Sequence, residues 1–189
     1  MFPVKYLFFA AWLVFIVVWI IGARSTKPTL RRSSLRLWIG LILLVWVAAL
    51  LLYALAAHHV PLQARLWPTP YPVQLLGALL TWAGIAFAIW ARIALGSNWS
   101  GQPTVKKDHE LITTGPYAYA RHPIYTGLLL AFLGSVLAFG EARALCAVVL
   151  ALAALVYKIR VEEQLMTETF PTAYPAYRQR VKALIPWIL

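Results

Sequence analysis

Charge is what this 189-residue chain has least of, and acid is its scarcest kind: six Asp and Glu stand against 17 Lys and Arg. Charged residues make up 12% of the chain, where a soluble domain carries about 25%. That shortage excludes an ordinary soluble domain, a disordered chain and a nucleic-acid arm. Cysteine is nearly absent too. Cys146 alone permits neither an internal disulfide nor a cysteine metal site. A glycine-rich strand-to-helix fingerprint is also missing, and with it the usual dinucleotide-binding sheet. Apolar residues fill the space instead, at 62% against the usual 45–50% or so. The composition is that of a polytopic membrane protein.

Apolar runs cover 6–22, 37–57, 73–95, 124–139 and 142–157. A membrane helix needs about 20 apolar residues. The first three runs are long enough to cross alone. The last two are shorter, and Gly140-Glu141 between them is a turn signal, so they read as an antiparallel hairpin. The fold expected is all-α, with about five transmembrane helices and a cytosolic amphipathic C-terminal segment. Two regions follow: an N-terminal three-helix membrane part, 1–95, and a core of loop, hairpin and tail, 96–189.

The net charge of +11 is a topology signal before it is anything else. Lys and Arg number 14 in the segments 24–36, 92–121 and 158–182, and 3 in the rest of the chain, at Lys5, Arg65 and Arg143. On a five-span chain the first group shares one face. The excess of basic residues on the cytosolic side then puts the N-terminus outside and the tail in the cytosol, facing anionic lipid. Reading the first run as a cleaved signal peptide would leave 24–36 outside, against that rule, so a retained helix is expected. His58 and His59 sit in a proline-rich loop without a nearby carboxylate, which argues for solvated loop residues. From Lys158 the chain turns mixed in character. Tyr174, Tyr177, Val181 and Leu184 follow helical spacing, and Trp187 suits an interface.

Reactive side chains gather in two places, the stretch 96–121 with the start of the fourth run, and the segment after the fifth. A hairpin brings its two ends to the same face, so Arg121, His122 and Tyr125 should lie beside Lys158, Arg160, Glu162 and Glu163. The glutamates would oppose the dipole at a helix C-terminus, with Lys158 and Arg160 spaced to pair with Glu162 and Glu163. Taken alone, such a cluster is better explained by structural ion pairing.

The stretch from His109 through Gly115-Pro116-Tyr117 to Arg121-His122-Pro123-Ile124-Tyr125-Thr126-Gly127 resembles the isoprenylcysteine carboxyl methyltransferase family, which has phospholipid methyltransferases as relatives. A second part of the pattern follows about 40 residues on, as Glu162-Glu163, then Phe170, Tyr174, Tyr177, Val181 and Pro186. The resemblance implies an integral, multi-pass membrane methyltransferase that uses S-adenosyl-L-methionine in a non-Rossmann site facing the cytosol. Carried over by position, cofactor contacts fall on Gln102, His109, Glu110, Leu111, Ile112, Tyr117, His122, Pro123, Ile124, Tyr125 and Glu162. Lys158 takes a position near the acceptor where the pattern has arginine, and Arg160 is a substitute for it. Pro171 stands where a glycine is usual. The acceptor implied is a lipophilic molecule entering from the bilayer, among membrane lipids, with no nucleic acid involved.

Chemistry gives these residues plausible work. A carboxylate such as Glu162 accepts hydrogen bonds from a ribose or an ammonium. Tyr117 or Trp99 offers adenine an aromatic face. A carboxylate acceptor is ionised near neutral pH and needs no base, only positioning in a dry site. For an amine or phenol, Glu163 or His122 is the candidate base. Two acceptor classes therefore stay open, a lipophilic acid and a phospholipid amine. Membrane sterol reductases, which use NADPH, share an Arg-His-Pro-x-Tyr segment, but they place a glutamate soon after its final glycine, where this chain has Leu128. A non-catalytic membrane scaffold is the remaining reading.

Overall fold

A computed structural model describes residues 3–32, 64–101 and 104–185. The second apolar run, His58, His59, Gln102, Pro186 and Trp187 lie outside the described residues. Among the described residues the fold is mostly helical. Helix α1 is Lys5–Ala23, α2 is Tyr71–Leu95, α3 is Pro123–Phe139, α4 is Ala142–Thr169 and α5 is Ala173–Arg180. Of these, α1, α4 and α2, continued to Asn98, are long and apolar enough to cross a membrane, while α3 is apolar but shorter. At 1.5 Å per residue, the 17 residues of α3 span roughly 26 Å, a little under the roughly 30 Å hydrocarbon thickness.

Small residues decide how α2 and α3 meet. Gly77, Ala78, Thr81, Gly84, Ile85, Ala88 and Ala91 form the buried stripe of α2, and Gly127, Ala131, Gly134 and Ala138 face it from α3. The backbones touch along this seam. A Cβ placed at Gly127 would lie 2.5 Å from the Gly84 carbonyl oxygen, and one at Gly134 would lie 2.6 Å from that of Gly77. Close approach through small residues is how helices associate in lipid, where apolar burial gives no drive. Thr81 adds a polar cross-link, donating to the Gly77 carbonyl at 2.9 Å and the Ala131 carbonyl at 3.1 Å. This pair straddles the division at residue 95.

Helix α1 lies on that seam through aromatic rings. Trp12 stacks on Phe132 at 5.2 Å, Phe8 meets Phe139, and the Trp82 indole donates to the Leu7 carbonyl. At the far end, Gly140 makes the hairpin turn with φ +66°, a left-handed conformation that glycine adopts without strain. The segment before α2 is tied there, with the Leu66 N–H on the Gly140 carbonyl and the Trp67 indole on that of Leu137.

Several expectations need correction. The helix built on the fifth apolar run does not end near Glu162; α4 continues to Thr169. Glu162 and Glu163 therefore lie within the helix and escape its C-terminal dipole, which acts only over the last turn. The tail helix stops at Arg180, and Val181 is already extended, so Val181 and Leu184 do not share a helical face with Tyr174. Arg92, counted above toward one membrane face, also has a structural role. It is 4% exposed and donates to the carbonyls of Gly22 and Gly96, joining the ends of α1 and α2. The all-α expectation also missed a two-stranded antiparallel ribbon, β1 (Thr29–Arg32) with β2 (Thr104–Lys106), with Arg32 opposite Thr104. The ribbon joins two segments that the charge pattern had assigned to one face.

Candidate active site

Pro123 begins α3 with its φ fixed, and His122 just before it is non-helical, at φ −123° and ψ 58°, the preferred arrangement for proline in the first turn. The His122 ring is thereby projected from the end of α3 toward α4. One helical turn on, Tyr125 lies parallel to it at 5.6 Å. On α4, Lys158, Glu162, Leu165 and Met166 face the same space, at the i, i+4, i+7 and i+8 spacing of one helix face.

The space is a cavity of about 420 Å³, within the roughly 300–1,000 Å³ of small-molecule sites. Its apolar side comes from Trp19 of α1, Leu95 and Trp99 at the end of α2, and Ile124 and Leu128 of α3. Its polar side includes Asn98, Ser100, His109, Glu110, Lys158 and Glu162. The tail helix α5 contributes Tyr174 and Tyr177.

Glu162 is the best-connected carboxylate on the wall. The Tyr125 hydroxyl donates to it at 2.8 Å, His122 Nδ1 lies 3.6 Å away, and Lys158 Nζ 3.9 Å away. Lys158 also donates to the Gly101 carbonyl at 3.0 Å and sits 5.2 Å above the Tyr125 ring. Glu163 points elsewhere. Arg121 donates to its Oε1 from Nε at 2.8 Å and Nη2 at 2.5 Å, His122 Nε2 lies 3.3 Å away, and Arg178 3.4 Å from its other oxygen. His122 thus bridges two carboxylates, one through each ring nitrogen. Burial by itself would lower its pKa, but the hydrogen bonds and charges of Glu162 and Glu163 outweigh burial and raise it.

Burial pushes the phenols of Tyr117, Tyr174 and Tyr177 up, that of Tyr177 to about 12 against the pull of Arg121. They stay protonated donors near neutral pH, and the Tyr177 hydroxyl donates to the Tyr117 carbonyl at 2.5 Å. Lys27 ties the loop before α3 to the end of α2, donating to Asn98 Oδ1 at 3.0 Å and to the Asp108 carbonyl at 2.7 Å.

Of the residues singled out from sequence, His109, Glu110, Leu111, Ile112, Tyr117, His122, Ile124, Tyr125, Lys158 and Glu162 line this one cavity. Pro123 is buried at the start of α3 behind the lining. Two placements differ from expectation. Arg160 is exposed on the other face of α4, in a shallow groove with Gln164, Thr167 and Arg178. It lies two residues from Lys158, which on a helix means a different face. Glu163 also lies outside the cavity lining, held among Arg121, His122 and Arg178. Sequence reasoning missed Trp19, Asn98, Leu128, Leu165 and Met166. The last two share the face of Lys158 and Glu162, and a helix drawn through to Thr169 would have revealed them. Nothing near Trp19 signals its part.

The sequence model of the family described as phospholipid methyltransferase matches residues 73–173, just over half the chain. The chain belongs to this family. The match takes in α2, the ribbon strand β2, α3 and α4, and so most of the cavity. Among similar proteins, the cobalt-zinc-cadmium resistance protein CzcN of Cupriavidus metallidurans is 34% identical over 105 residues, covering 54% of this chain and 46% of that protein. Protein-S-isoprenylcysteine O-methyltransferase of Schizosaccharomyces pombe is 36% identical over 83 residues, covering 43% of this chain and 35% of that protein. Among solved structures, that of the eukaryotic intramembrane Ras methyltransferase ICMT, isoprenylcysteine carboxyl methyltransferase, superposes with a TM-score of 0.54 at 25% identity, covering 82% of this chain and 54% of that one. The chain thus spans between about a third and about half the length of these proteins. Membership in the family, its apolar helices and the structural likeness make it an integral membrane protein.

Proposed function

We propose that this chain is an S-adenosyl-L-methionine-dependent membrane methyltransferase that methylates a lipophilic acceptor at the cytosolic face of the bilayer. The observation that carries the reading is the cavity at the meeting point of α3 and α4, with Glu162, His122 and Tyr125 joined in its wall. Its donor set fits the cofactor. Glu162 and Glu110 suit an ammonium or a ribose hydroxyl, Asn98 and Ser100 offer further polar partners, and Trp99 and Tyr117 present rings to a purine. When bound, the cofactor supplies an electrophilic methyl on a positively charged sulfur.

The chain's own residues orient and exclude water. Tyr125 and His122 hold the Glu162 carboxylate in place, so it needs no reorganisation. Trp19, Leu95, Ile124 and Leu128 line the apolar side and shield the reacting groups from solvent, which favours charge neutralisation during displacement. Among the candidate cations, Lys158 reaches the cavity and Arg160 does not. Lys158 is therefore the residue that would hold an acceptor carboxylate. The names of the isoprenylcysteine methyltransferases that the chain resembles support O-methylation of such an acid.

A second reading, methylation of a phospholipid amine, draws on the family description and on one feature of the site. Lys158 is already engaged by Glu162 and the Gly101 carbonyl, so an acceptor that needs no cation loses nothing.

Calorimetric titration of the detergent-solubilised protein with S-adenosylhomocysteine tests the cofactor. Binding by the wild type and its loss in a folded Glu162→Ala variant are expected. A wild type stabilised by NADPH and indifferent to S-adenosylhomocysteine would return the chain to reductase chemistry. Transfer of labelled methyl to prenylcysteine derivatives, small lipophilic acids and phosphatidylethanolamine then separates the acceptors, since an ester releases its label in base and an N-methyl group does not.

A further inference from the structure

The family match ends at residue 173, yet the chain beyond it is built into the site. After α5 the backbone turns back in extended form and runs parallel to the segment before α3, with Ala120 bridged to Lys182. The Arg121 N–H donates to the Lys182 carbonyl at 2.8 Å and the His122 N–H to the Ala183 carbonyl at 2.9 Å. The Thr126 hydroxyl of α3 donates to the Leu184 carbonyl at 2.7 Å. The Arg121 guanidinium, besides gripping Glu163, donates to the carbonyls of Arg178 and Val181. Leu184 is 3% exposed, a buried apolar anchor beside the half-exposed Ile185.

These contacts act on the backbone that aims the His122 ring. N–H groups at a helix start have no partner within the helix, and here those of Arg121 and His122 find theirs in the tail. Paired to an extended segment, His122 is held in its non-helical conformation, which sets its ring between Glu162 and Glu163. We propose that residues 181–184 are a positioning strap: they fix His122 and with it the Glu162–Tyr125 wall, so that docking of the tail and binding of the cofactor are coupled. The inference rests on the reading of the cavity as the cofactor site. Thr126 and Leu184 are positioning residues, since neither lines the cavity and both act through His122.

Coupling is reciprocal, which supplies the test. The full-length wild type, Thr126→Val, Thr126→Ser and Leu184→Ser are purified in detergent, titrated with S-adenosylhomocysteine, and followed by hydrogen exchange with and without it. In the wild type the ligand should slow exchange at 121–122 and 181–184. Thr126→Val loses the hydroxyl donor, and loss of one hydrogen bond corresponds to roughly a fivefold to tenfold weaker affinity, with faster exchange in the strap. Thr126→Ser keeps the hydroxyl and should stay within about twofold of wild type, a rescue that lost packing alone would not give. Leu184→Ser approaches the strap from the other side and should weaken binding in the same direction. The strap is overturned if Thr126→Val exchanges faster at 181–184 and still binds with wild-type affinity, or if the ligand leaves exchange there unchanged. A wild type that does not bind S-adenosylhomocysteine sinks the cofactor reading itself, and the coupling with it; that failure shows in the unmutated protein, whereas failure of the strap alone shows in the variants.

Discussion

Helix α3 meets α2 and α4 by opposite means. Against α2 it offers glycine and alanine, and the backbones touch with scarcely a polar group beyond Thr81. Against α4 it offers Arg121, His122 and Tyr125 from its first turn and the residues before it, and the contact is made of charges. Helix α4 shows the same contrast within itself. Leu145, Val149, Leu152 and Val156 are exposed along its upper part, while its buried residues, Ile159, Glu163 and Leu165, lie near the site. The seam is steric and indifferent to pH; the site is electrostatic and sensitive to it. Small residues thus join α2 to α3, and charge holds α4 to the end of that pair.

The charge-held side should break most severely. Removing Glu163 strands Arg121, whose side chain is 7% exposed, without its carboxylate. Breaking a buried ion pair by deleting one partner costs about 3–5 kcal/mol. Glu163→Ala should therefore lower the melting temperature in detergent more than a substitution at the α2–α3 seam or on the exposed face of α4. Arg121→Ala and Glu163→Ala together should cost less than the sum of the two. Additive losses would show that the pair is not coupled.

The steric side should break by crowding. In Gly127→Val the new side chain meets the Gly84 carbonyl at the seam, and overpacking of this kind costs about 1–3 kcal/mol. Leu152→Ala on the exposed face of α4 should change stability by less than about 0.5 kcal/mol. If thermal unfolding gives the two variants equal losses, the seam is not the rigid element. Gly127 shows how one residue serves two readings. It closes the sequence pattern through which the family was recognised, and in the fold it is a packing contact.

Much of the site was legible because a hairpin fixes which ends meet. His122 and Tyr125 were placed beside Lys158 and Glu162 from run lengths alone. The errors share a cause. An apolar run marks where the membrane would end, and helical hydrogen bonding continues past that point to Thr169. Cutting α4 at the change in polarity hid its faces, so Lys158 and Arg160 looked equivalent, and Leu165 and Met166 went unseen. The structural role of Arg92 was hidden for a related reason: an arginine at a membrane edge signals orientation, and nothing local showed that two helix ends converge on it. The ribbon was invisible because its strands are short and 72 residues separate Arg32 from Thr104. Its pairing is a tertiary fact.

The electrostatic side should also answer to pH, with a definite sign. The folded-state pKa of His122 lies above the usual 6.5, since its two carboxylates outweigh burial. Its contribution to stability is therefore fully present below about pH 6.5 and is lost as pH rises through the higher folded value. The melting temperature should fall with rising pH across that window. His122→Asn should flatten the fall, and Gly127→Val should keep its slope. An unchanged slope in His122→Asn would mean that another group carries the effect.

The smallest effect expected is the one that most sharpens the two faces of α4. Lys158 lines the cavity with Glu162, whereas Arg160, two residues on, is exposed beside Arg178. Exposed charges away from a partner contribute little to stability, and a side chain outside the cavity adds nothing to acceptor binding. Arg160→Ala should keep kcat and both KM values within about twofold, a change of under about 0.5 kcal/mol. Lys158→Ala should raise the KM of a carboxylate acceptor or lower kcat, with affinity for S-adenosylhomocysteine nearly unchanged. The pair of results separates the acceptors as well as the faces. If Lys158→Ala leaves turnover of every lipophilic acid intact while transfer to phosphatidylethanolamine proceeds, the cation serves Glu162 and the Gly101 loop alone, and the amine becomes the acceptor the site was built for. If Arg160→Ala is the variant that loses acceptor binding, the acceptor does not enter by the cavity, and the groove with Arg178 takes its place.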